Sequence, residues 1–130
     1  MTQEDKELLL KDLCARLPYK VKIMRYVERN NKINELIPEL NLSIRLVELF
    51  ISNDGFIIKP YLRPMSSMTK EEVLEYIGLK DNIVAIDDTT YFFETYQSID
   101  WLNSRHFDYR GLIEKGFALE AKEGMYNLKS

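Results

Sequence analysis

One cluster in this chain has the residue types for acid–base chemistry. Asp100, Arg105, His106, Asp108 and Arg110 fall within eleven positions, and His106 is the only histidine. An imidazole held by a carboxylate serves as a general base, and two adjacent guanidiniums hold a phosphate or carboxylate. In that arrangement His106 with Asp108 or Asp100 is the base, and Arg105 with Arg110 forms the anion pocket. A structural reading competes. Asp108 stands where a helix N-cap accepts a backbone N–H, Arg110 is within reach of Asp100 or Glu114, and His106 lies near a helix end. Arg105 and Arg110 are five apart with a helix break expected at Asp108, so they diverge. The sequence therefore predicts Asp108 as a cap, His106 outside any deep pocket, and no catalytic residue.

Two other stretches carry residues suited to binding. Lys11 to Lys32 holds seven basic residues against Asp12 and Glu28, a local +5 in a chain of net −3, which leaves −8 for the rest. If Lys20, Lys22, Arg25, Tyr26 and Arg29 shared one surface, the cations would meet phosphates while the Tyr26 ring stacked on a base. The plainer reading is a solvated face. The second stretch is Lys59-Pro60-Tyr61-Leu62-Arg63-Pro64-Met65-Ser66-Ser67-Met68-Thr69. Tyr61, Arg63, Met65 and Met68 are candidates for a protein contact, since Arg and Tyr are frequent at hot spots and Met adapts to irregular partners. They would serve equally to clamp the next helix onto a sheet.

Composition removes several functions. One cysteine, Cys14, and one histidine cannot build a structural zinc site of the usual Cys/His type. No glycine-rich phosphate loop, nucleophile elbow or kinase signature occurs, so no cofactor and no metal are expected. No run approaches the ~18 apolar residues of a membrane span, and the acidic start M-T-Q-E-D-K is unlike a secretory leader. Lone Cys14 fits a reducing, cytoplasmic setting. With 130 residues and 45% apolar content, residues 1–130 are expected to form a single compact domain without a disulfide or metal staple.

The elements that must position these residues follow from periodicity. Leu9, Leu13 and Leu17, with Leu10 and Cys14 beside them, predict a helix from Gln3 to Arg16, capped by Thr2 and stopped by Pro18. Alternation of Val21, Ile23 and Val27 against Lys20, Lys22, Met24, Tyr26 and Glu28 predicts a strand. Asn30-Asn31 predicts a turn, and Ile33 to Leu42 a second strand with Pro38 at an edge or bulge. Residues 43–51 are ambiguous between helix and strand. The Asn53-Asp54-Gly55 signal that follows favours a strand paired with Phe56 to Lys59 in a hairpin ended by Pro60. Thr69 and Glu72 form a capping box for a helix whose Val73, Leu74 and Ile77 are expected to face the core, with Gly78 as its stop. Ile83–Ile86 and Tyr91–Glu94 predict a hairpin, and Ile99–His106 a short helix. Asp108 is expected to cap another helix ending at Gly116, before a terminal hairpin. Seven of the fifteen aromatic residues lie between Tyr91 and Tyr109, where they are expected to build core or a protein interface. The fold class is α+β: an N-terminal helix, a small antiparallel curled sheet or SH3-like barrel, then short helices with β-hairpins.

The Lys59–Thr69 segment, the run from Asp100 to Tyr126 and the helix L-L-L-K-D-L-C-A-R-L-P-Y together resemble a family of small uncharacterised proteins. These come from Bacteroides and related gut bacteria and are often associated with phage or prophage regions. The resemblance implies a phage-associated role without defined chemistry, and it supplies no catalytic residues. The stretch L-I-E-K-G-F-A-L-E-A-K-E-G-M-Y-N-L is also similar to the recognition helix and wing of winged-helix DNA-binding domains. The reading preferred from sequence is a non-enzymatic accessory protein that binds another protein. Nucleic-acid binding through residues 11–32 or a winged C-terminus is the first alternative, and an enzyme using His106 with Asp108 the second.

Overall fold

The computed structural model describes residues 2–29, 32–35, 40–53, 55–84 and 90–126. Helix α1 spans Gln3–Arg16, and the Thr2 hydroxyl accepts a hydrogen bond from the Asp5 amide at 3.1 Å. Pro18 sits in one 3-10 turn, Leu17–Tyr19, before Lys20 takes a left-handed conformation with φ of 55° and turns the chain into the first strand. The buried stripe of α1 is not the one expected. Leu9 and Leu13 are fully buried, but so are Asp12 and Arg16, while Cys14 is exposed.

Strand β1, Lys22–Arg29, is the hub of the sheet. One edge pairs antiparallel with β4, Phe56–Leu62, in the register Ile23↔Pro60 and Val27↔Phe56. The other edge takes β2, Lys32–Glu35, and β3, Leu40–Asn41, at its two ends. The far edge of β4 pairs in parallel with β7, Leu119–Glu120. The path β2–β1–β4–β7 is four strands wide, mixed and open. It corrects the expected antiparallel curled sheet or SH3-like barrel: α+β holds, but a parallel edge strand arriving from the far end of the chain replaces the closing meander. The Asn30-Asn31 turn and Pro38 lie outside the described residues.

Residues 43–51 are not a strand. They form helix α2, Ile44–Ser52, capped by the Ser43 hydroxyl and burying Leu46, Val47 and Phe50, a spacing of three and four residues that only a helix brings to one face. The Asn53 side chain accepts from the Gly55 amide, so this turn joins a helix to β4 rather than closing a hairpin. Nor does Pro60 end β4, which continues to Leu62. Partner β7 begins opposite Tyr61, so at Pro60 one edge of β4 faces no strand and a missing N–H is tolerated.

Helix α3 spans Lys70–Leu79 and runs through Gly78. Strands β5, Asp81–Val84, and β6, Thr90–Phe93, pair antiparallel, as expected of Ile83–Ile86 and Tyr91–Glu94, and residues 85–89 of the turn between them lie outside the described residues. Helix α4, Tyr96–Ser104, follows, and its Schellman end explains why it stops short of His106. The Phe107 amide donates to the Leu102 carbonyl and the His106 amide to that of Asn103, with His106 in the left-handed region at φ 65°. Beyond it the chain makes turns rather than a further helix, because Gly111 and Gly116 adopt φ of 72° and 81°. A terminal hairpin is likewise not formed among the described residues.

Two cores result. The larger packs Leu9 and Leu13 of α1 and Leu46, Val47 and Phe50 of α2 against one face of the sheet. The smaller is a stack of Tyr76, Trp101 and Phe107, with ring centroids 5.6 and 5.7 Å apart. Met65, Met68 and Leu79 close its margin.

Candidate functional site

The residues that seat α3 are polar where an ordinary amphipathic helix is apolar. Glu72 and Tyr76, one turn apart, are its buried positions. Glu72 takes two hydrogen bonds from the Arg63 guanidinium, at 2.7 and 2.8 Å, and one from the Thr69 amide at 3.0 Å. Arg63 in turn lies over the Phe107 ring, 4.1 Å from its centroid. The Arg63 hydrogen bonds hold the Glu72 carboxyl down at about 2, against an opposing effect of burial. On the next turn the Tyr76 hydroxyl donates to Glu94, whose carboxylate also accepts from Ser98 and pairs with Lys80. Burial and the Glu94 carboxylate raise the Tyr76 phenol above its usual pKa.

Because these groups face inward, the apolar residues of α3 face outward. Val73 is 38% exposed, Leu74 74% and Ile77 41%. This reverses the sequence expectation that the three would line the core. Met68, Lys70, Val73 and Leu74 border a shallow depression of about 340 Å³. The Thr95 hydroxyl donates to the Leu79 carbonyl at 2.7 Å, which sets the start of α4 beside the end of α3. There Tyr96 is 93% exposed, at the rim of a second depression with Ile99, Glu94 and Asp100. Gly78 completes the surface, and a Cβ built on it would meet nothing within 4 Å.

The protein-contact candidates from sequence divide. Tyr61 and Arg63 are 3% and 8% exposed and present no side chain to a partner. Arg63 instead performs the clamping role, tying α3 to β4 through Glu72. Met65 and Met68 are half-buried against the smaller core, with Met68 also reaching the depression on α3. The residues that sequence reasoning missed are Leu74, Ile77 and Tyr96. No local signal marked them, since the face of α3 that turns inward is set by Arg63, which binds Glu72 from the end of β4.

The nucleic-acid candidates do not share one surface. Alternation along β1 puts Lys22 and Tyr26 on one face and Arg25 on the other, with core residues Ile23 and Val27. Lys20 is exposed in the turn before the strand, and the side chain of Arg29 lies outside the described residues. The Lys59 ammonium already sits 5.3 Å from the Tyr26 ring centroid.

The His106 cluster is also dispersed. Asp108 accepts from the amides of Leu112 and Ile113 at 2.8 and 2.9 Å, so it caps a turn as expected, although no helix follows. Arg105 pairs with Glu75 and Arg110 with Asp12, so the two guanidiniums diverge. His106 is buried, not a surface residue, and stacks on Tyr126 at 3.9 Å between centroids. The Tyr126 hydroxyl accepts from the Lys22 amide and donates to the Tyr61 carbonyl, bridging β1 and β4. Burial, then the charges of Arg16 and Arg63, push the His106 pKa down to about 4.

Among the described residues no group of three or more His, Cys, Asp or Glu side chains is placed to hold a metal ion, and no helix is long and apolar enough to cross a membrane. Comparison of the chain with protein-family models, curated proteins and solved structures finds no match.

Proposed function

We propose that this chain is a non-enzymatic accessory protein that docks another protein on the outer face of α3 and the adjoining Tyr96. One observation carries the reading: α3 buries a carboxylate and a phenol while leaving Val73, Leu74 and Ile77 in solvent. Keeping Glu72 inward requires an Arg63 partner and a capping box, an arrangement that an apolar contact would replace more simply. Clustered apolar side chains on a surface mark interaction sites. The non-enzymatic part rests on Asp108, Arg105 and Arg110 each being held by partners other than His106.

The test is affinity capture from a Bacteroides lysate carrying prophage, the source the sequence resemblance suggests, with wild-type protein and Leu74→Asp compared side by side. Leu74 is largely exposed, so the variant should keep its melting temperature while losing the captured protein. Identical captured sets from the two would sink the proposal. Nucleic acid is a second reading, because Lys22, Tyr26 and Lys59 share one sheet face. Phosphate contacts give affinity that falls with salt, and no binding at ~50 mM salt removes it.

A further inference from the structure

Building on the docking face just described, we infer that its occupant is a cationic amphipathic helix of a partner protein. Glu71 and Glu75 lie one turn apart on the flank of α3 next to Leu74 and Gly78. Like charges at that spacing weaken a helix, and a cation supplied from outside relieves them. Both residues are exposed, and the Arg105 contact to Glu75 is long, at 3.6 Å. Asp100 adds another exposed carboxylate beside Tyr96. Two of the nearby cations are already occupied, since Lys80 folds onto Glu94 and the Tyr76 ring while Arg105 folds onto Glu75 and the Trp101 ring. Exposed Lys70 borders the depression at the N-terminal end of α3, so the face is an apolar stripe with one cation at its start and an acidic flank along Glu71 and Glu75.

That pattern disfavours a second copy of this chain as occupant. In an antiparallel two-fold pairing of α3 with itself, the same flanks meet, and Glu71 and Glu75 would oppose their own duplicates. A basic helix meets the same flank with opposite charge, while its apolar ridge covers Val73, Leu74 and Ile77. Gly78 fits this geometry. It sits inside the helix with no need for the space its side chain would fill, and it lets a partner backbone approach closely.

The probe is a pair of fluorescein-labelled synthetic peptides of about 18 residues, long enough to hold a helix. They share a leucine stripe, and one has lysine flanks where its twin has glutamate. Fluorescence anisotropy with the full chain should show the lysine peptide binding at least about tenfold tighter. Glu71→Lys should erase or reverse that preference, and the double variant Glu71→Gln/Glu75→Gln should shrink it. Raising salt to ~1 M should narrow the gap. Equal binding of the twins, no binding of either, or an unchanged preference in Glu71→Lys would overturn the inference. The parent reading is scored by Leu74→Asp. If that variant abolishes binding of twins that bind equally well, the docking face stands and only its charge selectivity fails. If it leaves both affinities intact, the docking face falls as well.

Discussion

His106 shows how much one side chain's role depends on a distant neighbour. Its place at the left-handed end of α4 is one that glycine usually fills, and the strain is tolerated because the ring packs beneath Tyr126. Buried near Arg16 and Arg63, it has a folded pKa of about 4 against 6.5 in an exposed chain. The unfolded state therefore binds the proton more readily, and stability is complete above about pH 6.5 and falls as the pH drops towards 4. Between pH 7 and pH 5 the loss should be about 2 kcal/mol in urea unfolding. Glu72, held at about 2, contributes little slope there, since its effect is lost only as pH falls below its ordinary 4.5. No other histidine confuses the measurement. His106→Gly should flatten the profile, and an unchanged slope in that variant would refute the assignment. The Asp108 cap was legible in the sequence because it is local. The burial of His106 was not, because it depends on a tyrosine twenty residues on.

At the scale of elements, caps were readable and faces were not. Thr2, Thr69 and the Gln3–Arg16 helix follow from contacts within one turn, which any short window of sequence contains. Residues 43–51 were open to two periods, and the following Asn53-Asp54-Gly55 signal favoured the wrong one; the burial of Leu46, Val47 and Phe50 settles them as helix. For α3, hydrophobicity pointed the wrong way round because Arg63 supplies an inward partner that outweighs it. A consequence follows for Gly78. It lies within α3 and has open space around it, so glycine there is a cost to the helix with no internal packing reason. Gly78→Ala should raise stability by up to about 1 kcal/mol in thermal or urea melts. If the docking face is used, the same variant should bind its partner more weakly, since the added methyl stands where the partner approaches. A loss of stability in the free chain would contradict this account of the position.

The whole molecule is joined by a polar seam between its two cores. Arg16 of α1 donates to Asp12 at 2.8 Å and, across the molecule, to the Phe107 carbonyl at 2.7 Å. Asp12 also accepts from Arg110 at 2.9 Å, and the Tyr109 ring lies against both guanidiniums. The helical wheel held a trace of this. Asp12 and Arg16 fall on the same stripe as Leu9 and Leu13, but a charge is expected to face water unless a partner is known. Each is the other's partner one turn away, but the contacts that allow the pair to be buried come from residues 107–110, so local pattern could not reveal the burial. Burying charge is costly, and removing one member of a buried pair costs about 3–5 kcal/mol because the other is left without compensation. Asp12→Ala, which strands Arg16, should therefore destabilise the chain by that amount in urea unfolding at pH 7. Replacing both members, Asp12→Leu with Arg16→Met, exchanges the pair for apolar volume and should cost far less than the sum of the single changes. Strict additivity in that cycle would mean that Asp12 and Arg16 act separately, each through its own partner across the molecule, Arg110 for one and the Phe107 carbonyl for the other.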